Sequence, residues 1–195
     1  TVREWFWYAV LYSFLGFLLE VAYARAVQAE KQDRKCFYFL PLCPVYGLGA
    51  LLILTPAPLL AGRPLLLALW SGAAATGAEY AMSLFYEKLF RVSFWDYTAL
   101  PWNLGGRVCL AFSLCWCGLG LLTVYGIHPL AAALVARIPE GFTLPCALLL
   151  GADALWTAAV LRRSGSTDAL IWYARRPRRQ AQEVRGGEDS GISGI

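Results

Sequence analysis

The chain has 195 residues, of which 58% are hydrophobic and only 15% are charged, a balance that argues against an ordinary soluble domain. The length allows one domain, and long apolar runs make it an integral membrane one. The six cysteines form no CxxC pair and His128 is the single histidine, so we expect no metal site and no other cofactor.

Five apolar runs approximate the ~20 residues that a helix needs to cross hydrocarbon. In chain order they are Trp5–Ala24, Pro44–Ala61, Pro64–Phe85, Val108–Ile127 and Phe142–Leu161. Pro56 and Pro58 weaken the second run, and the third is expected to continue as helix to Phe90. Pro129–Arg137 is too short to span, and we predict that it lies in the membrane interface.

The predicted fold is therefore an all-α integral membrane bundle of about five transmembrane helices, with a broken or re-entrant segment before the fourth. Residues 1–163 form the single membrane domain. Residues 164–195 begin with a basic stretch and end in a Gly/Ser-rich, disordered tail. The lipid bilayer is the expected partner of the basic stretch, and we expect no nucleic-acid binding.

The basic residues predict the orientation in the plasma membrane. With five spans, one side of the membrane carries only Arg3, Arg63 and Arg137. The other side collects fourteen basic residues: Arg25, Lys31, Arg34, Lys35, Lys88, Arg91, Arg107, Arg162, Arg163, Arg175, Arg176, Arg178, Arg179 and Arg185. The positive-inside rule then places the N-terminus outside and the C-terminus in the cytoplasm.

Two carboxylates interrupt the apolar runs. Glu20 shares one helix face with Tyr12, Gly16 and Tyr23, and Glu79 lies in the third run. A charge at membrane depth costs about 2.5–3.5 kcal/mol on insertion scales unless it is neutralised, paired or hydrated. Glu20 could instead snorkel or serve helix packing, and the two interpretations stay open.

Small residues precede Glu79, and a third carboxylate follows it. The stretch 71–78, SGAAATGA, favours close helix packing in lipid. Glu87 continues the stripe of Glu79 and Ser83 at i, i+4, i+8, but it lies beside Lys88 near the predicted interface, where a solvated ion pair is the simpler interpretation.

The segment before the fourth run is unusually polar and aromatic. It combines Trp95, Asp96, Tyr97, Asn103 and Arg107 with Pro101 and two glycines, which forbid a regular helix. Such a segment is either an interfacial loop or a re-entrant element that lines a cavity. All the unusual polar residues converge on the predicted cytoplasmic half, where we expect Glu20, Glu79 and Arg107 to approach one another, with a buried ion pair whose loss would destabilise the protein.

Four motifs carry a family resemblance: SFLGFLLE (13–20), PLCPVYG (41–47), EYAMSLFYEKLF (79–90) and WDYTALPWNLGGRVCLAFSLCW (95–116). They resemble a bacterial family of small multi-pass proteins described as putative ABC-transporter type IV, or permease, over residues 8–125. The chain departs from the family pattern at Cys36, Leu40 and Ala99. The resemblance implies a helical membrane fold and adds Tyr46 and Tyr80 to the candidate substrate-binding residues, which are Glu20, Tyr46, Glu79, Tyr80, Glu87, Trp95, Asp96, Tyr97, Asn103 and Arg107.

The leading functional hypothesis is a transporter or permease-type component that handles a small polar or cationic solute. The sequence contains no GxxxxGK[ST] motif, so any ATPase must be a separate chain, and a homo-oligomer is the other expected assembly. One alternative is a membrane-embedded enzyme for a lipid-linked substrate, in which Asp96 or Glu79 is the base and Arg107 binds phosphate. The other is a structural partner whose polar cluster only locks helices together.

Overall fold

The structure is a computed structural model that describes residues 1–28 and 35–171. Its main elements are helices joined by turns, with one short antiparallel strand pair. In chain order they are α1 (Val2–Ala26), α2 (Pro44–Leu54), α3 (Ala57–Leu60), α4 (Pro64–Phe90), β1 (Asn103–Leu104), β2 (Val108–Cys109), α5 (Leu110–Leu122), α6 (His128–Ala136) and α7 (Thr143–Ser164). Residues 172–195 of the predicted C-terminal tail and the basic residues at 31 and 34 lie outside the described residues. The first residues of the predicted tail are ordered, since Thr167–Leu170 form a 3-10 helix with Leu170 buried.

Three helical stretches of the described chain are long and apolar enough to cross a membrane: Val2–Ala26, Leu110–Ala136 and Glu140–Ser164. They coincide with the first, fourth and fifth predicted runs. Helix α4 has 27 residues but is not among these three, and its run carries small and acidic side chains. The count of five spans therefore stays a prediction. So does the re-entrant insertion of the segment before the fourth run.

The second predicted run, Pro44–Ala61, does not form one helix. Helix α2 is 11 residues long and ends at Leu54, and α3 is a separate turn of four residues. Pro56 and Pro58 lack the backbone N–H groups that a continuous helix would use, so the break falls where they stand. At about 1.5 Å per residue, α2 alone covers roughly half of the hydrocarbon thickness.

Residues Pro129–Arg137 do not form the separate interfacial helix that was predicted. A single π-helical turn, Thr123–Ile127, joins α5 directly to α6, so the two form one continuous helical stretch. Pro129 stands in the first turn of α6, where its missing N–H is tolerated at a local break in the hydrogen-bond ladder. The apolar segment thus extends the fourth span.

Close packing of small residues holds the centre of the bundle. Helix α2 lies between α1 and α4, and α4 packs along α5. Ser71, Gly72, Ala75 and Ala78 are buried on α4, as the stretch 71–78 predicted. A Cβ at Gly120 of α5 would lie 2.1 Å from the Ser71 Cβ, so these two backbones meet without room for a larger side chain.

Neutral hydrogen bonds and one arginine join the helices at the end where α1 begins. The Trp7 indole donates to the Thr143 hydroxyl at 3.1 Å, which ties α1 to α7. Arg3 donates to the Ile138 carbonyl at 2.9 Å. The Tyr12 hydroxyl lies 3.2 Å from His128 Nδ1, which ties α1 to α6. This end of the bundle is therefore fixed by direct contacts between helices.

Candidate functional site

A cavity of about 630 Å³ lies between α1, α2, α4 and α5. Its volume is in the range of small-molecule sites. Five of the ten sequence-predicted residues line it: Glu20, Tyr46, Glu79, Trp95 and Tyr97. Most of the remaining lining is aliphatic. The cavity thus brings together carboxylates that lie far apart in the sequence.

Glu79 is the most enclosed of these carboxylates, with only 5% of its surface exposed. One oxygen accepts a hydrogen bond from the Tyr97 hydroxyl at 2.8 Å, and the other accepts from the Trp116 indole at 3.2 Å. Both donors are neutral. They replace part of the lost hydration of the carboxylate without supplying a counter-charge.

Glu20 is held in a similar way on the facing helix. Its Oε1 accepts from the Tyr46 hydroxyl at 2.6 Å. Gly16, one turn before Glu20, makes room for this tyrosine, because a Cβ at Gly16 would lie 2.2 Å from Tyr46 Cγ. The Tyr46 ring also meets the Trp116 ring edge to face, with centroids 5.5 Å apart. Two aromatic side chains in contact therefore connect Glu20 to Glu79.

The segment 91–109 positions Tyr97. It leaves α4 through Arg91, which adopts a left-handed conformation at φ +56°, and it ends in the β1–β2 pair. The Tyr97 amide donates to the Gly106 carbonyl at 2.8 Å, and the Trp95 indole donates to the Arg107 carbonyl at 2.8 Å. Burial, reinforced by the Glu79 charge, raises the pKa of Tyr97, so its hydroxyl stays a donor at neutral pH.

Asp96 and Asn103 serve this same segment rather than the cavity. Asp96 Oδ1 accepts from the Thr98 amide at 2.9 Å, which closes a tight turn. The Asn103 side chain donates to the Leu100 carbonyl at 2.8 Å and accepts from the Gly106 amide at 3.0 Å. Neither residue lines the cavity. Their geometry is that of a scaffold that holds Tyr97 against Glu79.

Arg107 lies outside the cavity and pairs with Glu87. The side chains of Arg107 and Glu87 are 24% and 54% exposed, so this ion pair is not buried between the helices. The Arg107 guanidinium also lies 5.9 Å from the centre of the Tyr80 ring. Glu20 and Glu79 share a cavity as expected, but the structure differs from the prediction for Arg107, because its carboxylate partner is on the accessible flank of α4.

Sequence reasoning missed two residues of the cavity wall. Trp116 lies within a family-like motif but was not chosen, although an indole N–H in a polar cluster is a donor that needs a partner. Lys35 is 7% exposed, lines the cavity and donates to the Tyr38 carbonyl. It brings a positive charge to the same space as Glu20 and Glu79.

A second buried acid among the described residues, Asp153 on α7, was also missed. It is 3% exposed and accepts from the backbone amides of Phe39 at 3.1 Å and Leu40 at 2.7 Å. One turn later Thr157 accepts from the Tyr38 amide at 2.9 Å. Three consecutive backbone N–H groups are thus bound by α7. The only signal in the sequence was an acid within an apolar run, and its partners are more than a hundred residues away.

A family model described as Putative ABC-transporter type IV matches residues 7–158. The chain belongs to this family. The match covers the four motifs and continues into α7 as far as residue 158. The family match therefore includes Asp153 and extends beyond residue 125, where the resemblance of the motifs ends.

No curated protein and no solved structure matches the chain. Membership in the type IV family and the three apolar helices together make this a membrane protein of an ABC-transporter type.

Proposed function

We propose that the protein is a transport component that binds a small polar or cationic solute in the carboxylate-lined cavity. The observation that carries this proposal is that Glu20 and Glu79 line one cavity, where the Tyr46 hydroxyl donates to Glu20 and the Tyr97 hydroxyl donates to Glu79. A buried charge such as that of Glu79 is costly, and a solute that replaces lost hydration is a reason to keep it beside a second carboxylate. The type IV family supports transport over other membrane functions.

The proposed assembly includes an ATPase supplied by another chain. The charge asymmetry of the loops supports a cytoplasmic C-terminus in the plasma membrane, and with this orientation we propose that Glu20 and Glu79 lie in the cytoplasmic half. A separate ATPase would then meet the transport component on the same side as the segment 91–109.

The test uses membrane vesicles from the native host, with the gene intact or deleted, because such vesicles contain whatever ATPase the protein needs. With ATP, we expect the accumulated amount of at least one small polar or cationic solute to differ several-fold between vesicles with the intact gene and vesicles with the deleted gene. The gene encoding Glu140→Gln should restore the difference, since Glu140 is exposed and far from the cavity. The gene encoding Glu79→Gln should not restore it.

Identical solute profiles in the two kinds of vesicle would overturn the transport proposal. A change confined to membrane lipids would favour an enzyme acting on a lipid-linked substrate. Loss of a neighbouring membrane complex without any solute change would favour a structural partner.

A further inference from the structure

We propose that the cavity binds an organic monocation, a substituted ammonium group attached to an apolar body. The inference deepens the proposed function, because it names the solute class of the same cavity. Three independent features of the wall lead to it: its net charge, its aromatic side chains and its aliphatic far end.

The charged side chains of the wall specify the charge of the ligand. Among the described residues that line the cavity, Glu20 and Glu79 are acidic and Lys35 is basic. When all three are ionised the wall carries one net negative charge, so a ligand with one positive charge neutralises the enclosed space. Charge complementarity matters more here than at a surface, since water screens an enclosed charge less.

The aromatic side chains favour a diffuse positive charge. Tyr46, Tyr97 and Trp116 all line the cavity, and their polar hydrogens point to carboxylates. A hydroxyl or indole that donates to an anion makes its own ring richer in electrons, and the face of such a ring attracts an ammonium group. Carboxylates beside aromatic rings are the combination that recognises substituted ammonium ions.

A metal ion and an anion fit the wall less well. A hard divalent cation takes six or more oxygen ligands, and in the described ranges no cluster of three or more acidic, histidine or cysteine side chains could hold one. An anion would face two carboxylates, and the hydroxyls of Tyr46 and Tyr97 already donate to those carboxylates. The wall therefore selects against both classes.

The rest of the lining requires an apolar body on the ligand. Away from the carboxylates the wall includes aliphatic side chains from four helical segments, among them Leu15, Ile53, Leu119 and Ile127. A compact hydrated cation would leave this surface wet. A hydrocarbon or aryl group attached to the ammonium would bury it and gain the hydrophobic contribution.

The test measures binding by isothermal titration calorimetry on the full chain in lipid nanodiscs. The probes are benzyltrimethylammonium, neutral N-benzylacetamide and anionic 3-phenylpropanoate, which have the same number of non-hydrogen atoms, together with tetramethylammonium, which has the charge without the aryl group. We expect benzyltrimethylammonium to bind at least about tenfold more tightly than each of the other three. Glu79→Gln and Glu20→Gln should each weaken its binding by about the same factor, and Glu140→Gln should not.

Thermal midpoints of the variants show whether weakened binding reflects the loss of charge or the loss of folding. Glu20→Gln and Glu79→Gln each remove one charge, so they test the inference independently. Equal binding of N-benzylacetamide, preference for 3-phenylpropanoate, or no binding of any probe would overturn the cation inference. Glutamate-dependent binding of benzyltrimethylammonium together with unchanged vesicle solute profiles would support the inference while refuting transport. A solute profile that depends on Glu79 but contains only neutral or anionic solutes would support transport while refuting the cation inference.

Discussion

The cavity end of α4 and the middle of α7 each bury a carboxylate, but they surround it differently. Asp153 receives two backbone amides from residues 39 and 40 and a third contact from the Thr157 hydroxyl at 3.3 Å. Glu79 receives two side-chain donors and lies beside open space. Their exposed fractions are nearly the same, 3% and 5%.

Burial alone therefore does not distinguish a structural acid from a ligand-binding one. Backbone donors are fixed by the fold, so Asp153 serves as an anchor for the segment 35–43. Side-chain donors can rotate, and Glu79 can exchange one of them for a ligand. Under the proposed function, Asp153 contributes to stability and Glu79 contributes to ligand binding.

Removal of the anchor should have the largest effect on folding. Asp153→Ala leaves the part-buried amides of Phe39 and Leu40 without this acceptor, which costs about 1–3 kcal/mol of unfolding free energy for each amide. We expect the thermal midpoint and detergent-solubilised yield to fall clearly, and Asp153→Asn, which keeps one acceptor oxygen, to lie between this variant and wild type. A wild-type midpoint for Asp153→Ala would show that α7 does not hold these amides.

The wall around Glu20 should be the next most sensitive. Gly16→Ala places a Cβ inside the ring of Tyr46, and overpacking of this kind costs about 1–3 kcal/mol. Displacing Tyr46 also removes the donor to Glu20, so we expect weaker ligand binding together with a lower thermal midpoint. Gly151→Ala is the matched control, because no atom of another side chain lies near that position in α7. Equal midpoints for the two alanine variants would mean that Tyr46 does not occupy this space.

Glu79→Gln should separate binding from stability. The amide keeps one acceptor for Tyr97 or Trp116 but loses the negative charge, so the expected destabilisation is about 1 kcal/mol. Ligand binding should weaken by about tenfold in the folded protein, whereas Asp153→Asn should retain binding in the fraction that folds. Calorimetry and thermal melting on the same preparations test this. If Asp153→Asn abolishes binding although the variant is fully folded, the two acids do not differ in the way proposed.

Arg107→Ala should have the smallest effect. Its partner Glu87 is 54% exposed, and surface ion pairs contribute about 0–1 kcal/mol. This expectation replaces the one from the sequence, in which Arg107 neutralised a carboxylate inside the bundle. A drop in thermal midpoint as large as that of Asp153→Ala would instead support the original prediction that Arg107 forms a buried ion pair.

The sequence predicted the long helices well and the site only in part. Apolar runs end where polar residues or prolines begin, so α1, α4 and α7 lie within a few residues of their predicted bounds. The partners of Glu79 could not be predicted from the sequence. Tyr97 reaches Glu79 through the turns of segment 91–109, and hydrophobic periodicity does not predict the geometry of turns. Asp153 was missed because its partners are backbone amides, which leave no mark in the sequence.

Chemical labelling with a hydrophobic carbodiimide tests the contrast most directly. Such reagents modify carboxyl groups that an apolar molecule can reach, and peptide mass spectrometry identifies the modified residue. The account predicts that Glu79 and Glu20 are modified, that benzyltrimethylammonium protects both, and that Asp153 stays unmodified in the folded protein. Modification of Asp153 at the rate of Glu79, or no protection of Glu79, would contradict the assignment of binding to one acid and anchoring to the other.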